Sequence, residues 1–210
     1  MPARSIFRRP EWPRRLASDE NGISVVEFAL ISPVFFTLLL GTLDMGHTLY
    51  MQSVLQGVLQ KAARDSTLES ASAAAQQTII NAEVDQQVKR LAANADIEIT
   101  RRYFRDFTTA SQAKAETFTD ANSNGTCDNG EAYEDANNNS VWDADGGNAG
   151  QGGAKDSVVL TAKVSYPRMF PLHGLIGLPT TTTIQAMTVL ANQPYGEQAQ
   201  YAPPVSRSCT

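Results

Sequence analysis

Histidine and cysteine, two of each, are among the residues this chain of 210 has least of. The two histidines, His47 and His173, stand alone, and there is no His-Glu-x-x-His, no Gly-x-Ser-x-Gly and no phosphate-cradling Gly-Lys-Ser/Thr loop. The common hydrolytic, metal-hydrolase and nucleotide chemistries therefore lack their residues, and no enzyme is expected. A formal net charge of −5 without a basic patch excludes a nucleic-acid binder, whose affinity comes mostly from phosphate neutralisation. There is one long apolar run, so at most one membrane crossing is expected. The two cysteines, Cys127 and Cys209, can pair, but spacing leaves a bridge and two free thiols both open.

The apolar run extends from Ile23 to Leu43 with one acid, Glu27, and no base. As a helix it would measure about 31 Å, one bilayer crossing. Pro33 does not forbid this, because membrane helices re-satisfy the carbonyl that proline frees. Arg4, Arg8, Arg9, Arg14 and Arg15 precede the run, and the first 22 residues carry a net charge of +2. By the positive-inside rule residues 1–22 are a cytoplasmic basic leader, and the chain after about Asp44 lies across a bacterial inner membrane, in the periplasm, where disulfides persist. The run is too long for an ordinary signal peptide. An acid in a spanning segment costs about 2.5–3.5 kcal/mol, so Glu27 needs a partner. A cut after Gly22 would supply one, because Ile23 would then carry an α-ammonium four residues away on the same helical face.

Gly22, then four residues, then Glu27-Phe28 at the head of an apolar helix resembles the prepilin-peptidase site of type IV pilins, in its short Flp/Tad variety. The longer match, with Ser32-Pro33-Val34 and Leu40-Gly41-Thr42-Leu43-Asp44-Met45-Gly46, resembles the TadE/TadG-like pseudopilins of the Tad pilus system. That resemblance implies a minor pilin, cleaved after Gly22 by a prepilin peptidase. It would meet other pilus subunits, inner-membrane assembly proteins and membrane lipid, and serve adhesion or biofilm formation, at the inner membrane or within a surface pilus. The competing reading is a permanently anchored periplasmic or surface protein that binds calcium and recognises an external ligand.

Met51, Val54, Leu55, Val58, Leu59 and Ala62 recur at helical spacing, so residues 45–75 are read as an amphipathic continuation of the transmembrane helix 23–44. Ile80, Val84, Val88, Leu91 and Ala95 mark a shorter second helix. Alternation over Ile97–Phe104, Val158–Tyr166 and Thr180–Leu190 predicts strands. The expected fold class is α+β, with a small, mostly antiparallel sheet in a periplasmic domain spanning 76–191. Pro167 to Pro179 is an apolar loop that either caps the sheet or touches the membrane surface or a neighbouring subunit. Residues 192–210 read as an extended tail.

Residues 118–146 form an acidic insert with a fifteen-residue repeat. Its first copy fits the calcium-loop template, with Asp120, Asn122, Asn124, Gly125, the Thr126 carbonyl, Asp128 and Glu131 at positions 1, 3, 5, 6, 7, 9 and 12. Its second copy offers Asp135, Asn137, Asn139 and Asp143, but has Ser140 for the glycine and Gly146 for the final glutamate, with Asp145 one residue earlier. Calcium is the implied cofactor. No Lys, Arg or His occurs from Ala115 to Ala154, so without a cation these carboxylates are expected to repel one another. The competing reading is a disordered Asn/Asp/Gly-rich loop.

Overall fold

The computed structural model describes residues 23–68, 74–171 and 173–210, with the side chains of His173 and Leu175 left aside; the leader and Gly22 lie outside the described residues. The first element, α1 (Ile23–Ser66), is a single helix that runs through Pro33. The Ser32 hydroxyl lies 3.5 Å from the Ala29 carbonyl, whose usual N–H donor the proline ring has removed. Thr37 and Thr42 donate back to the carbonyls of Pro33 and Leu38 at 2.7 and 2.8 Å, so hydroxyls in the apolar half are satisfied within the helix.

The two halves of α1 differ in what covers them. By length and composition the helix can cross a membrane, and its most apolar window has no buried residue. From Met51 onward, Leu55, Val58, Leu59, Ala62 and Ala63 form a buried stripe. Each fully buried Leu in that stripe contributes about 1.5–3 kcal/mol of hydrophobic stabilisation. The helix ends at Ser66, short of the 75 expected from the helical spacing. Gln151 Nε2 donates to the Ser66 carbonyl at 2.9 Å and the Gln193 amide to that of Thr67 at 3.1 Å, which satisfies carbonyls a helix end would otherwise orphan.

A second helix, α2 (Ala74–Lys89), buries Ile80, Val84 and Val88 against α1. The main sheet is formed by β1 (Asp96–Phe104), β3 (Asn148–Ala149), β4 (Ser157–Pro167) and β5 (Thr181–Ala191) in the order β3-β1-β4-β5, antiparallel throughout. Central β4 sends Leu160, Ala162, Val164 and Tyr166 into the core with α1 and α2. The other face of the sheet is covered by α3 (Phe107–Gln112), where Phe104, Ala110 and Val159 meet. Asp106 caps α3 by accepting from the Thr109 amide, which holds its exposed carboxyl below the usual range. A short helix, α4 (His173–Ile176), lies in the apolar connection between β4 and β5.

Three strands fall where none is expected from sequence: the two-residue β3 at the edge of the main sheet, and a separate pair. In the insert, β2 (Ala132–Asp135) pairs antiparallel with β6 (Val205–Ser208) at the C-terminus. The tail is therefore docked. Cys127 and Cys209 form a disulfide next to that pairing. Gln198 and Tyr201 hold the intervening stretch by donating to Asp156 Oδ1 at 2.8 and 3.0 Å. Fold class and architecture are thus α+β: a long helix, short helices and a small antiparallel sheet.

Candidate functional site

Two regions carry candidate chemistry: the head of α1 and the acidic insert. Of the processing motif, Gly22 lies outside the described residues. Ile23 opens α1, and Ile23, Glu27 and Phe28 are all exposed on it, with Ile23 and Glu27 four residues apart on one face. The chain's own fold therefore leaves Glu27 facing outward.

In the insert the repeat becomes geometry. Asp120 accepts the amides of Asn124 and Gly125 at 3.2 and 2.8 Å, and Asp135 accepts those of Asn139 and Ser140 at 3.1 and 2.9 Å. Asn124 Oδ1 accepts from Thr126, as Asn139 Oδ1 does from Val141. Asn122 and Asn124 converge on Asp128, as Asn137 and Asn139 converge on Asp143. Each loop turns through a left-handed residue at its sixth position, Gly125 at φ 78° and Ser140 at φ 67°. Serine makes the same turn at a cost of about 1–2 kcal/mol.

The loops are joined back to back by a bridge between Phe118 and Tyr133. Thr119 N donates to Ala132 O and Glu134 N to Thr117 O, at 2.8 and 2.9 Å. A shift of fifteen residues exchanges these two bonds, so the copies are related by a local two-fold. That symmetry explains the final glutamate. Glu131 accepts the amides of Ala121 and Asp128 in the first loop, at 2.8 and 2.9 Å. Glu116, fifteen residues earlier, accepts those of Ala136 and Asp143 in the second loop, at 2.8 and 3.0 Å. The second loop thus borrows from upstream the carboxylate its own sequence lacks. Gly146, where that glutamate is expected, has no room for one, because a Cβ there would lie 2.7 Å from the Lys114 carbonyl oxygen. Reading the repeat two residues further upstream would have found Glu116.

Charge separates the two loops. Although the insert has no basic residue of its own, Arg102 from β1 pairs with Asp143 and Asp145, and Arg207 from β6 pairs with Asp135. The expected repulsion is therefore relieved in the second loop by guanidinium groups brought in by the fold, and Asp145 belongs to Arg102. Among the described residues no such pair reaches Asp120, Asp128 or Glu131. Nor do three or more His, Cys, Asp or Glu side chains gather into a metal-holding group among them.

The comparisons bear on the helix alone. Residues 22–64 match the family model described as TadE-like protein. This segment is TadE-like. It begins at the glycine of the processing motif and ends two residues before α1 does. No curated protein and no solved structure matches the chain. A TadE-like segment suggests involvement in Tad pilus assembly with other pilus components, membrane anchoring through the apolar helix, and a structural rather than catalytic role.

Two acids of the second loop respond to pH in opposite senses. Burial pushes the Glu116 carboxyl above the ordinary range, with Asp143 and Asp135 adding to it against the two amides it accepts. Burial acts upward on Asp135 too, but the Ser140 and Asn139 amides and Arg207 outweigh it and hold its carboxyl low. Acidification through the raised value of Glu116 relieves an unfavourable charge in the folded state. The stabilisation from Asp135 is present above its unfolded value of about 3.9 and is lost as pH falls through its lower folded value. Near-ultraviolet circular dichroism of the Trp142 and Tyr133 region should thus persist to about pH 4 and collapse only below it. Collapse between about pH 5 and 7 would contradict this assignment.

Proposed function

We propose that this protein is a minor pilin or pseudopilin, cut after Gly22 by a prepilin peptidase and used in assembling a Tad-type pilus for adhesion or biofilm formation. The supporting observation is one continuous helix whose TadE-like match starts at Gly22, with Glu27 outward-facing four residues beyond the new terminus. In this reading residues 1–22 are the cytoplasmic leader, 23–44 cross the inner membrane, and the remainder is the periplasmic domain. Glu27 then pairs with the α-ammonium of Ile23, its own or a neighbour's, which offsets the cost of an acid in lipid. Glu27→Ala should enter the membrane at least as well as the wild type but fail to support pili counted by electron microscopy. Normal pilus numbers would remove that role.

The insert is read as a calcium module. Its first loop would hold the ion through Asp120, Asn122, Asn124, the Thr126 carbonyl, Asp128 and Glu131, all oxygen donors suited to a hard cation. This loop fits the ion better than its twin because its acids lack the arginine partners that occupy Asp135 and Asp143. When bound, calcium supplies positive charge that lets the loop close. In the second loop, Asp135, Asn137, Asn139, Asp143 and the borrowed Glu116 form a parallel donor set in which guanidinium already supplies that charge. The alternative function, a permanently anchored calcium-binding interaction protein, draws on the insert lying outside the TadE-like match.

An extracellular-type affinity of about 10⁻⁴–10⁻³ M is expected. Millimolar calcium would then add about 0.4–1.4 kcal/mol to stability. Isothermal titration should detect this binding in wild type and lose it in Asp120→Ala with Glu131→Ala, while circular dichroism of the helix-and-sheet domain stays unchanged. Retention of calcium binding by that double variant would refute the assignment.

A further inference from the structure

We propose that the apolar connection Met169–Leu178, between β4 and β5, seats in the headgroup layer of the membrane that α1 crosses, giving the domain a second contact with lipid. The inference rests on reading α1 as the membrane span. Contacts at three levels along α1 fix which way the hairpin points. At the far end of α1 its last carbonyls, Ser66 and Thr67, meet Gln151 and Gln193. Nearer the apolar half, Gln52 Nε2 donates to the Gln185 carbonyl at 2.7 Å. Nearest of all, Arg168 pairs with Asp44. Moving down α1 toward its amino terminus therefore means moving back along β5 toward its start and forward along β4 toward its end. The β4–β5 connection thus lies at the end of the domain that faces the lipid-facing run.

Asp44 immediately follows that run, and it is buried, as is most of the Arg168 side chain. Arg168 Nε also donates to the Pro179 carbonyl at 2.9 Å, and its amide to the Thr180 carbonyl at 3.0 Å. One guanidinium thus closes the base of the connection and clamps it to α1 at the membrane boundary. The headgroup layer on each side of a bilayer is only about 5–8 Å deep, so a segment held at this level has little room to avoid it. The chemistry of the connection suits that place. From Met169 to Leu178 it holds no Lys, Arg, Asp or Glu. Met169 and Ile176 are 58% and 52% exposed, their apolar surface otherwise left to water. Scattered apolar exposure is ordinary on protein surfaces. Here it is tied, through the Asp44–Arg168 clamp, to the end of the exposed apolar run of α1.

The test uses the full chain in native membranes with a benzophenone amino acid at position 176 and, separately, at 169. Val141, 60% exposed on the distant insert, is the control position. After irradiation, the peptide carrying position 176 or 169 should gain a phospholipid mass, and that carrying 141 should not. An intact Cys127–Cys209 bridge in the same sample reports that the variant has folded. Adducts at both positions to a second copy of the chain or to another protein, with none to lipid, would overturn the proposal, as would the absence of any adduct. Carbonate extraction separates this from the reading beneath it. A chain that stays in the membrane pellet but captures no lipid refutes only the seating of the connection, whereas a chain released by carbonate refutes the span and the proposal with it.

Discussion

The 44 residues of α1 form one continuous helix whose apolar half is uncovered and whose other half is packed, and the rest of the fold follows from that constraint. Its first half exposes Val, Ile, Leu and Phe, apolar surface suited to lipid, and its second half turns a stripe from Met51 to Ala63 onto α2 and β5. The change happens at Asp44, where a carboxylate that lipid would penalise is buried against Arg168 instead. A buried pair of this kind is weak evidence for net stability, since desolvation offsets much of the attraction. Its consequence is positional. It fixes where along the helix the domain begins.

The insert meets a different constraint, the packing of many carboxylates without local positive charge. A local two-fold lets each copy use a glutamate from the start of the opposite repeat, so Glu116 and Glu131 play equivalent parts although only one lies at the template position. Neutralisation breaks the symmetry. Arg102 and Arg207 arrive on β1 and β6 to serve the second loop, and the disulfide to Cys209 sits beside the first. The bridge closes a sequence separation of 82 residues, worth about 4–5 kcal/mol in the chain-entropy account. The insert and tail are thereby made part of the domain.

Much of this was legible in the residues because the signals were local and periodic. The helical spacing of Met51, Leu55 and Leu59 and the alternation of β4 each require a single face to be buried, and period alone reveals that face. The repeated turns of the insert were legible for the same reason, being set by Asp and Asn side chains that bond their own backbone. What escaped reading was long-range. Residues Val205–Ser208 carry no strand signal strong enough to stand alone, and they form β6 only because β2 and the bridge lie beside them. The borrowed Glu116 and the partners of Asp143 and Asp135 come from other elements, which no window of sequence could bring together. The absence of a base between Ala115 and Ala154 was a correct observation, but it was the fold that decided where the compensating charge came from.

The central proposal is that the basic leader is removed after Gly22, so that a free ammonium at Ile23 gives Glu27 a partner four residues away on the same helical face. Determining the amino terminus of the protein isolated from cells that contain a prepilin peptidase tests it most directly. The account predicts a mature chain beginning at Ile23; a chain still beginning at Met1, with all five leader arginines attached, would contradict it.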